Sequence, residues 1–141
     1  MPEVPSTRGA RSGQTSMREF KVKPAGISFS VPAVPPSGNA YVRHTRTGRH
    51  YVTEEAEQFK DLVLAIANSK KLVIRWKRYG VEVSIFLGKK QKGDLDNFAK
   101  VTLDSLVYAA IIDSDAKITN LRMLKARDIA NPRTVISVWA E

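Results

Sequence analysis

The sequence predicts an α+β domain in which two helices pack on a small mixed β-sheet, with the chain order β-α-β-α-β-β. Short stretches in which apolar and polar residues alternate strictly predict strands. Two longer stretches repeat apolar residues at helical spacing, and two β-rich stretches close the chain. With 141 residues, of which 43% are hydrophobic, the chain is long enough for one domain with a buried core.

The first half of the chain predicts one strand and one helix. In "GISFSVP", Ile27, Phe29 and Val31 alternate with serines, which is typical of a strand with one buried face. The prolines and glycines of "AVPPSGNAYVRHTRTGRHYVT" then predict a turn followed by a basic loop. Thr53 is a candidate N-cap for a helix through "TEEAEQFKDLVLAIANSKK". Its apolar residues recur at i, i+3, i+4 and i+7, as Phe59, Leu62, Val63 and Ile66.

The second half predicts a strand, a helix and two closing strands. Val81, Val83 and Ile85 alternate with polar residues in a strand, and "LVIRW" before them is either another short strand or an irregular lead-in. A basic turn, "KKQKG", leads to the second helix, "DNFAKVTLDSLVYAA". The stretches "KITNLRMLKA" and "RTVISVWA" predict two strands joined by a hairpin-like connection.

The charge balance predicts a polyanionic partner. The chain has 23 Lys and Arg against 14 Asp and Glu, a formal net charge of +9, so nucleic acid is favoured over a merely soluble basic protein. The absence of cysteine excludes disulfides, Cys-ligated zinc and thiol catalysis. No apolar run approaches the ~18 residues of a membrane span, and the N-terminus has no signal-peptide pattern. We therefore expect a cytoplasmic protein with no membrane partner and no small-molecule cofactor. Residues 1–24 predict a flexible basic extension, and residues 25–141 the domain.

Carboxylates are concentrated in one stretch of this basic chain. "GDLDNFAKVTLDSLVYAAIIDSDAKI", residues 93–118, contains Asp94, Asp96, Asp104, Asp113 and Asp115. We expect Asp96 to be the N-cap of the second helix and to share a polar stripe with Lys100 and Asp104. A helix followed by a strand packed beside it is expected to return Asp113 and Asp115 to Asp94 and Asp96.

Such a carboxylate cluster predicts a hard cation. Mg²⁺ prefers oxygen ligands, and Asp94, Asp96, Asp113 and Asp115 are the candidate ligands, with Mn²⁺ as a substitute metal. The ion would polarise a phosphodiester and help to deprotonate a water, while Lys100 would stabilise charge on the transition state or position the water. The alternative is that "DLDN" and "DSD" are only turn and cap chemistry.

The acidic stretch resembles the core signature of the RusA family of Holliday junction resolvases. That signature is an Asp-x-Asp-Asn, a following Lys, an Asp-(small)-Leu, and a later Asp-rich turn that opens a strand. The upstream "VPPSGNAYVRH" is similar to the family's Pro-Pro-Ser-x-Asn segment. The likeness covers about residues 26 to 140. One departure is Ser114, which separates two aspartates that are usually adjacent in the family.

The resemblance implies a Mg²⁺-dependent endonuclease that acts as a homodimer and nicks opposed strands of four-way DNA junctions in recombination and repair. The family's first two catalytic aspartates match Asp94 and Asp96, and its essential lysine matches Lys100. Its third catalytic aspartate best matches Asp115, with Asp113 as the other candidate.

Basic residues in two loops are expected to bring DNA to this site through phosphate contacts. These predicted DNA-binding residues are Arg43, Arg46, Arg49, Lys89, Lys90 and Lys92. Two other functions stay open: a nuclease with a broader choice of branched DNA, and a catalytically silent basic DNA-binding protein whose carboxylates serve only as caps.

Overall fold

The computed structural model describes residues 26–36, 42–44 and 50–141, with only the backbone described for 42–44 and 50–52. The strands are β1 (Ile27–Val31), β2 (Val42–His44), β3 (His50–Val52), β4 (Tyr79–Leu87), β5 (Ile118–Arg127) and β6 (Arg133–Ala140). The helices are α1 (Glu54–Lys70) and α2 (Leu95–Tyr108), and a short 3₁₀ turn spans Asp115–Lys117. The predicted extension, residues 1–24, lies outside the described residues.

Four strands form the mixed sheet that the sequence predicts. Their order is β1-β6-β4-β5, with antiparallel pairs on both sides of β6 and a parallel pair between β4 and β5. Parallel neighbours need a crossover connection, and α2 supplies it between β4 and β5. Because β4 and β5 run in the same direction, α2 begins at the sheet end where both strands finish. It ends where both strands start.

The core lies between the sheet and the two helices. Alternate residues of β4, such as Val81, Val83 and Ile85, are fully buried beside Phe59 of α1 and Phe98 of α2. This burial confirms the predicted alternation of β4 and the predicted apolar face of α1. The other sheet face carries the intervening side chains of β4 and β6, which are half-buried for the most part.

Strand β5 is an edge strand, and most of its side chains are exposed. Leu121 and Leu124 are 42% and 37% exposed, although both are large and apolar. The described residues place β4 beside one edge of β5 and no strand beside the other. A strand edge of ten residues, next to which the described residues place no strand, is available for pairing with another chain.

The helix ends follow local chemistry, with one departure from expectation. Thr53 is the N-cap of α1, and its side-chain oxygen accepts a hydrogen bond from the Ala56 amide at 3.4 Å, as predicted. Helix α2 begins earlier than predicted, so Asp94 is its N-cap and the prediction of Asp96 was wrong. The ring of Phe98 packs so closely on Gly93 that an added Cβ would lie 2.6 Å from it. This contact sets the chain direction at the helix start.

Three further local predictions are decided by the structure. A short hairpin of β2 and β3 lies within the stretch predicted as a basic loop. The stretch "LVIRW" is irregular, because its backbone bonds go outside the sheet: the Ile74 amide donates to the Ile111 carbonyl at 2.9 Å. The predicted hairpin of the two closing strands was wrong, because β4 lies between β5 and β6 in the sheet and pairs with both. Within the described ranges, the helices are too short or too polar to cross a membrane.

Candidate active site

Asp94 and Asp96 lie at the solvent-exposed start of α2. The Asp94 carbonyl accepts the first helical hydrogen bonds, from Asn97 and Phe98, while its side chain makes no capping bond. Asp96 lies in the first turn, where the helix dipole stabilises negative charge. Both carboxylates are exposed, so neither is consumed by the core. The local fold therefore exposes two carboxylates, which are potential metal ligands, at one end of the helix.

Lys100 and Asp104 continue the polar stripe along α2, as the spacing predicts. Lys100 Nζ lies 3.3 Å from an Asp104 carboxylate oxygen, and the Lys100 side chain is 66% exposed. Residues four apart share a helix face, which places Lys100 one turn beyond Asp96 on the same side. An exposed ammonium on a long stem can move between Asp104 and an incoming phosphate.

The "DSD" turn is held by specific hydrogen bonds rather than being a loose loop. One Asp113 oxygen accepts from the Tyr79 hydroxyl at 2.9 Å, and the other accepts from Lys117 Nζ at 2.8 Å. The hydrogen bond from Lys117, followed by that from Tyr79, lowers the pKa of Asp113 below its ordinary value. The same bond to Asp113 raises the pKa of Lys117. Asp115 begins the 3₁₀ turn and is exposed.

A groove with a volume of about 360 Å³ joins the end of α2 to this turn. Its lining includes three carboxylates, those of Asp104, Asp113 and Asp115. Lys60 and Tyr108 form part of the same lining, and sequence reasoning did not single them out. The Lys60 ammonium lies 5.2 Å from the centre of the Tyr108 ring, and the Tyr108 hydroxyl donates to Asp61 at 3.1 Å. In the sequence, Tyr108 lies within the apolar run "LVYAAII", so the pattern gave no signal for a polar role of this pair.

The hydrogen bond to Asp61 also sets the acidity of Tyr108. It raises the pKa of the Tyr108 hydroxyl above its ordinary value, because the ionised phenol would face a carboxylate. Tyr108 therefore stays a neutral donor beside the groove.

The two carboxylate pairs do not converge within one chain. Helix α2 has 14 residues and is about 21 Å long, with Asp94 and Asp96 at its start and Asp113 and Asp115 beyond its end. Among the residues with described side chains, no group of three His, Cys, Asp or Glu could hold a metal ion. The expectation that the following strand returns the second pair to the first fails for a physical reason. Strand β5 starts at the end of the sheet opposite to the start of α2.

The predicted basic residues divide between described and undescribed parts of the chain. Lys89, Lys90 and Lys92 lie exposed in the turn after β4, at the same sheet end as Asp94. Arg127 donates to the Gly88 carbonyl and to the Lys89 carbonyl, the latter at 3.3 Å, which ties this turn to the end of β5. Of the three predicted arginines, Arg46 and Arg49 lie outside the described residues, and of Arg43 only the backbone, in β2, is described.

The donor chemistry fits a hard cation, and the geometry limits how one chain would hold it. Mg²⁺ is usually held by one or two carboxylates with waters and substrate phosphates, and Asp94 and Asp96 supply that number. A third carboxylate ligand for the same ion would have to come from a residue that lies away from the start of α2. One chain thus supplies two carboxylates that suit Mg²⁺, which is part of a complete ligand set.

Fold and site together define a basic α+β protein whose exposed carboxylates and lysine suit phosphodiester chemistry. The family model described as endodeoxyribonuclease RusA matches residues 32–139, and the chain belongs to this family of nucleases. The "crossover junction endodeoxyribonuclease RusA" of Escherichia coli K12 is 32% identical over 92 residues, which cover 64% of this chain and 76% of the relative.

Phage proteins with the same description are similarly related. That of Enterobacteria phage HK97 is 29% identical over 105 residues, covering 74% of this chain and 87% of its own, and that of Enterobacteria phage 82 is 30% identical over 92 residues, covering 64% and 76%. Among solved structures, the periplasmic domain of Helicobacter pylori MotB has a TM-score of 0.39 at 14% identity over 87% of each chain. That likeness is too weak to carry an argument.

Proposed function

We propose that this protein is a Mg²⁺-dependent endodeoxyribonuclease that cuts four-way DNA junctions with paired nicks, as a homodimer, in DNA recombination and repair in the cytoplasm. The observation that carries the proposal is the pair of exposed carboxylates at the start of α2, Asp94 and Asp96, with the exposed Lys100 one turn beyond Asp96, within the stretch that the family model matches. The names of the relatives, all crossover junction endodeoxyribonucleases, support the junction as substrate.

The chain's own residues have distinct roles in this proposal. Asp94 and Asp96 hold the metal, which when bound polarises the phosphodiester and lowers the pKa of a bound water. Lys100, one turn further along the same face, leaves Asp104 to neutralise charge that develops on the phosphate. Lys89, Lys90 and Lys92 contact the DNA backbone beside the cut. Mn²⁺ is a substitute for Mg²⁺, because both accept oxygen ligands.

The separation of the carboxylates supports a dimer. A second copy laid antiparallel along the free edge of β5 brings the start of one β5 towards the end of the other. Asp115 of one copy, which precedes the start of β5, then approaches the end where the other copy has Asp94. An isologous pair repeats this arrangement twice, which suits a junction with two equivalent strands to cut. Pairing would also cover the exposed Leu121 and Leu124.

A junction-cleavage assay tests the activity. The protein is incubated with a synthetic four-way junction, a forked duplex and a linear duplex, each with Mg²⁺ or with EDTA. Symmetric nicks on the junction alone, abolished by EDTA, are the expected result. Equal cleavage of the fork would favour a nuclease of broader branched-DNA specificity. Junction binding without cleavage would favour the silent DNA-binding protein.

A mixing experiment tests whether two copies share each site. Asp94→Asn and Asp115→Asn are purified separately, denatured together and refolded, so that half of the dimers contain one copy of each. If each site takes Asp94 from one copy and Asp115 from the other, a mixed dimer keeps one intact site and nicks a single strand. If each site lies in one copy, every mixed dimer is inactive. Recovery of single nicks therefore supports the shared site.

A further inference from the structure

A buried tyrosine is bonded directly to the acidic turn. Tyr79, the first residue of β4, has no exposed surface, and its hydroxyl lies 2.9 Å from Asp113 Oδ1 and 3.1 Å from the Ile74 carbonyl. A phenol has one hydrogen to donate, and the carboxylate is both the closer and the charged acceptor. The Tyr79 hydroxyl oxygen also accepts a hydrogen bond from the Trp76 amide at 3.2 Å. Tyr79 thus connects the core to the turn.

The second oxygen of Asp113 fixes the other side of the turn. It accepts from Lys117 Nζ at 2.8 Å, and Lys117 is the last residue of the 3₁₀ turn. Between these two residues, Ser114 accepts from the Ala116 amide at 3.1 Å. Asp115 is therefore bracketed by an anchored residue two positions before it and another two positions after it.

These contacts separate the roles of the two aspartates. Both oxygens of Asp113 already accept hydrogen bonds from groups of this chain, whereas Asp115 is exposed at the groove. A carboxylate whose lone pairs are directed at a tyrosine and a lysine is better suited to hold the backbone than to ligate a cation. In the part of the chain that the structure describes, no side chain bonds the Asp115 carboxylate, so the fixed turn can direct it at a cation.

We propose that Tyr79 is a positioning residue for the reaction: through Asp113 and Lys117 it holds the turn in the one conformation that presents Asp115. The inference rests on the proposed function for its catalytic consequence. It assigns Asp113 to the anchor and takes it out of the predicted set of metal ligands. Without the phenol hydroxyl, the turn keeps its sequence and its ion pair but loses the hydrogen bond that fixes Asp113 to the core.

The test compares Tyr79→Phe with Thr134→Val. Both changes remove one buried hydroxyl with little change of shape, and Thr134 bonds the Ala33 carbonyl at 2.7 Å, away from the turn. Hydrogen exchange of the amides of Ala116, Lys117 and Ile118 is measured without DNA or metal. We expect exchange to rise about tenfold in Tyr79→Phe, which corresponds to roughly 1.4 kcal/mol of local stability, and to stay unchanged in Thr134→Val.

Two further readouts address the site. In Tyr79→Phe we expect Mn²⁺ affinity, followed by electron paramagnetic resonance, to fall together with single-turnover cleavage at saturating junction, while junction binding in Ca²⁺ stays within about twofold of wild type. Equal exchange in the turn for wild type and Tyr79→Phe would overturn the inference. So would full Mn²⁺ affinity in a variant whose turn exchanges faster.

Hydrogen exchange tests the role of Tyr79 in the turn independently of whether the protein is a nuclease. If the wild-type protein does not cleave the junction, the nuclease proposal fails, while hydrogen exchange still decides whether Tyr79 holds the turn. Lys117→Met provides a second variant, because it keeps the stem length and removes the charge. It should raise exchange in the same amides, and its failure to do so would remove Lys117 from the anchor.

Discussion

Lys125 Nζ donates a hydrogen bond to the Gly93 carbonyl at 2.9 Å, which attaches the far end of β5 to the residue before Asp94. The contact joins positions 32 residues apart and orients the start of α2 against the sheet. It also places two carboxylates of a basic protein beside the lysine-rich turn after β4. The location of this acidic helix end, open to solvent and flanked by cations, motivates the predictions on activity.

Asp94→Asn and Asp96→Asn should each reduce junction cleavage more than about 100-fold, because losing even an outer-shell partner of a metal site typically costs roughly 10–100-fold. The fold should persist, since both side chains are exposed. Single-turnover cleavage and thermal unfolding measure the two effects. Glu82→Gln is the control, because Glu82 is an acid paired with Arg122 on the sheet. Wild-type turnover by either Asp variant would contradict the metal assignment.

Lys100→Ala should lower turnover by about 100-fold or more while changing junction affinity little. One cationic group at the reacting phosphate is worth about that factor in rate, whereas it is one phosphate contact among several in binding. Cleavage at saturating junction and gel-shift titration separate the two. Lys70→Ala, at the exposed end of α1, is the matched control. Normal cleavage with weakened binding would instead assign Lys100 to docking.

Asp115→Asn should abolish nearly all cleavage, and Asp113→Asn should keep a measurable fraction. Asn at position 113 can still accept the hydrogen bond from Tyr79, so only the ion pair to Lys117 is removed. Asp115→Asn removes an exposed carboxylate, and the other carboxylate of the turn, that of Asp113, is already bonded to Tyr79 and Lys117. Parallel cleavage assays with equal amounts of folded protein measure the difference. The reverse order of activities would exchange the roles of the two residues.

The ion pair of Asp113 and Lys117 should make stability depend on pH. The pKa of Asp113 is lowered in the folded protein, so its contribution is present above the unfolded value of about 4 and is lost as pH falls through the folded pKa. The pKa of Lys117 is raised, so its contribution is present below about 10.4 and is lost as pH rises through the folded pKa.

The difference in unfolding free energy between wild type and Asp113→Asn should therefore be constant between about pH 5 and 9 and shrink below about pH 4. Denaturant unfolding at a series of pH values measures it. A difference that persists unchanged in strong acid would show that the pair does not act through ionisation of Asp113.

Junction affinity should fall steeply as salt rises, because basic residues displace counterions from DNA phosphates. Replacing Lys89 or Lys90 by Gln should reduce the slope of log affinity against log salt by about 0.9 for each phosphate that the protein no longer neutralises. Titrations at several salt concentrations give the slopes. Lys70→Gln serves as control, and an unchanged slope in the Lys89 and Lys90 variants would place the DNA elsewhere.

Local sequence patterns were sufficient to predict the main elements and to suggest the chemistry that we propose for the site. Alternation in β4 and helical spacing in α1 each report which face of its own element is buried. The cap at Thr53 is equally local, since a side chain bonds an amide three residues on. The aspartates and Lys100 were visible because their spacing is a property of a few consecutive turns. The family resemblance added the roles that we propose for these residues.

Tertiary structure decided which parts of the site lie together. Whether Asp115 meets Asp94 depends on the direction of β5 relative to α2, and the residues between them do not encode that direction locally. The parallel pairing of β4 and β5 places the two pairs at opposite ends of a helix about 21 Å long. The link from Tyr79 to Asp113 spans 34 residues and arises only when the core is assembled. Periodicity reports contacts within an element, whereas a functional site is built from contacts between elements.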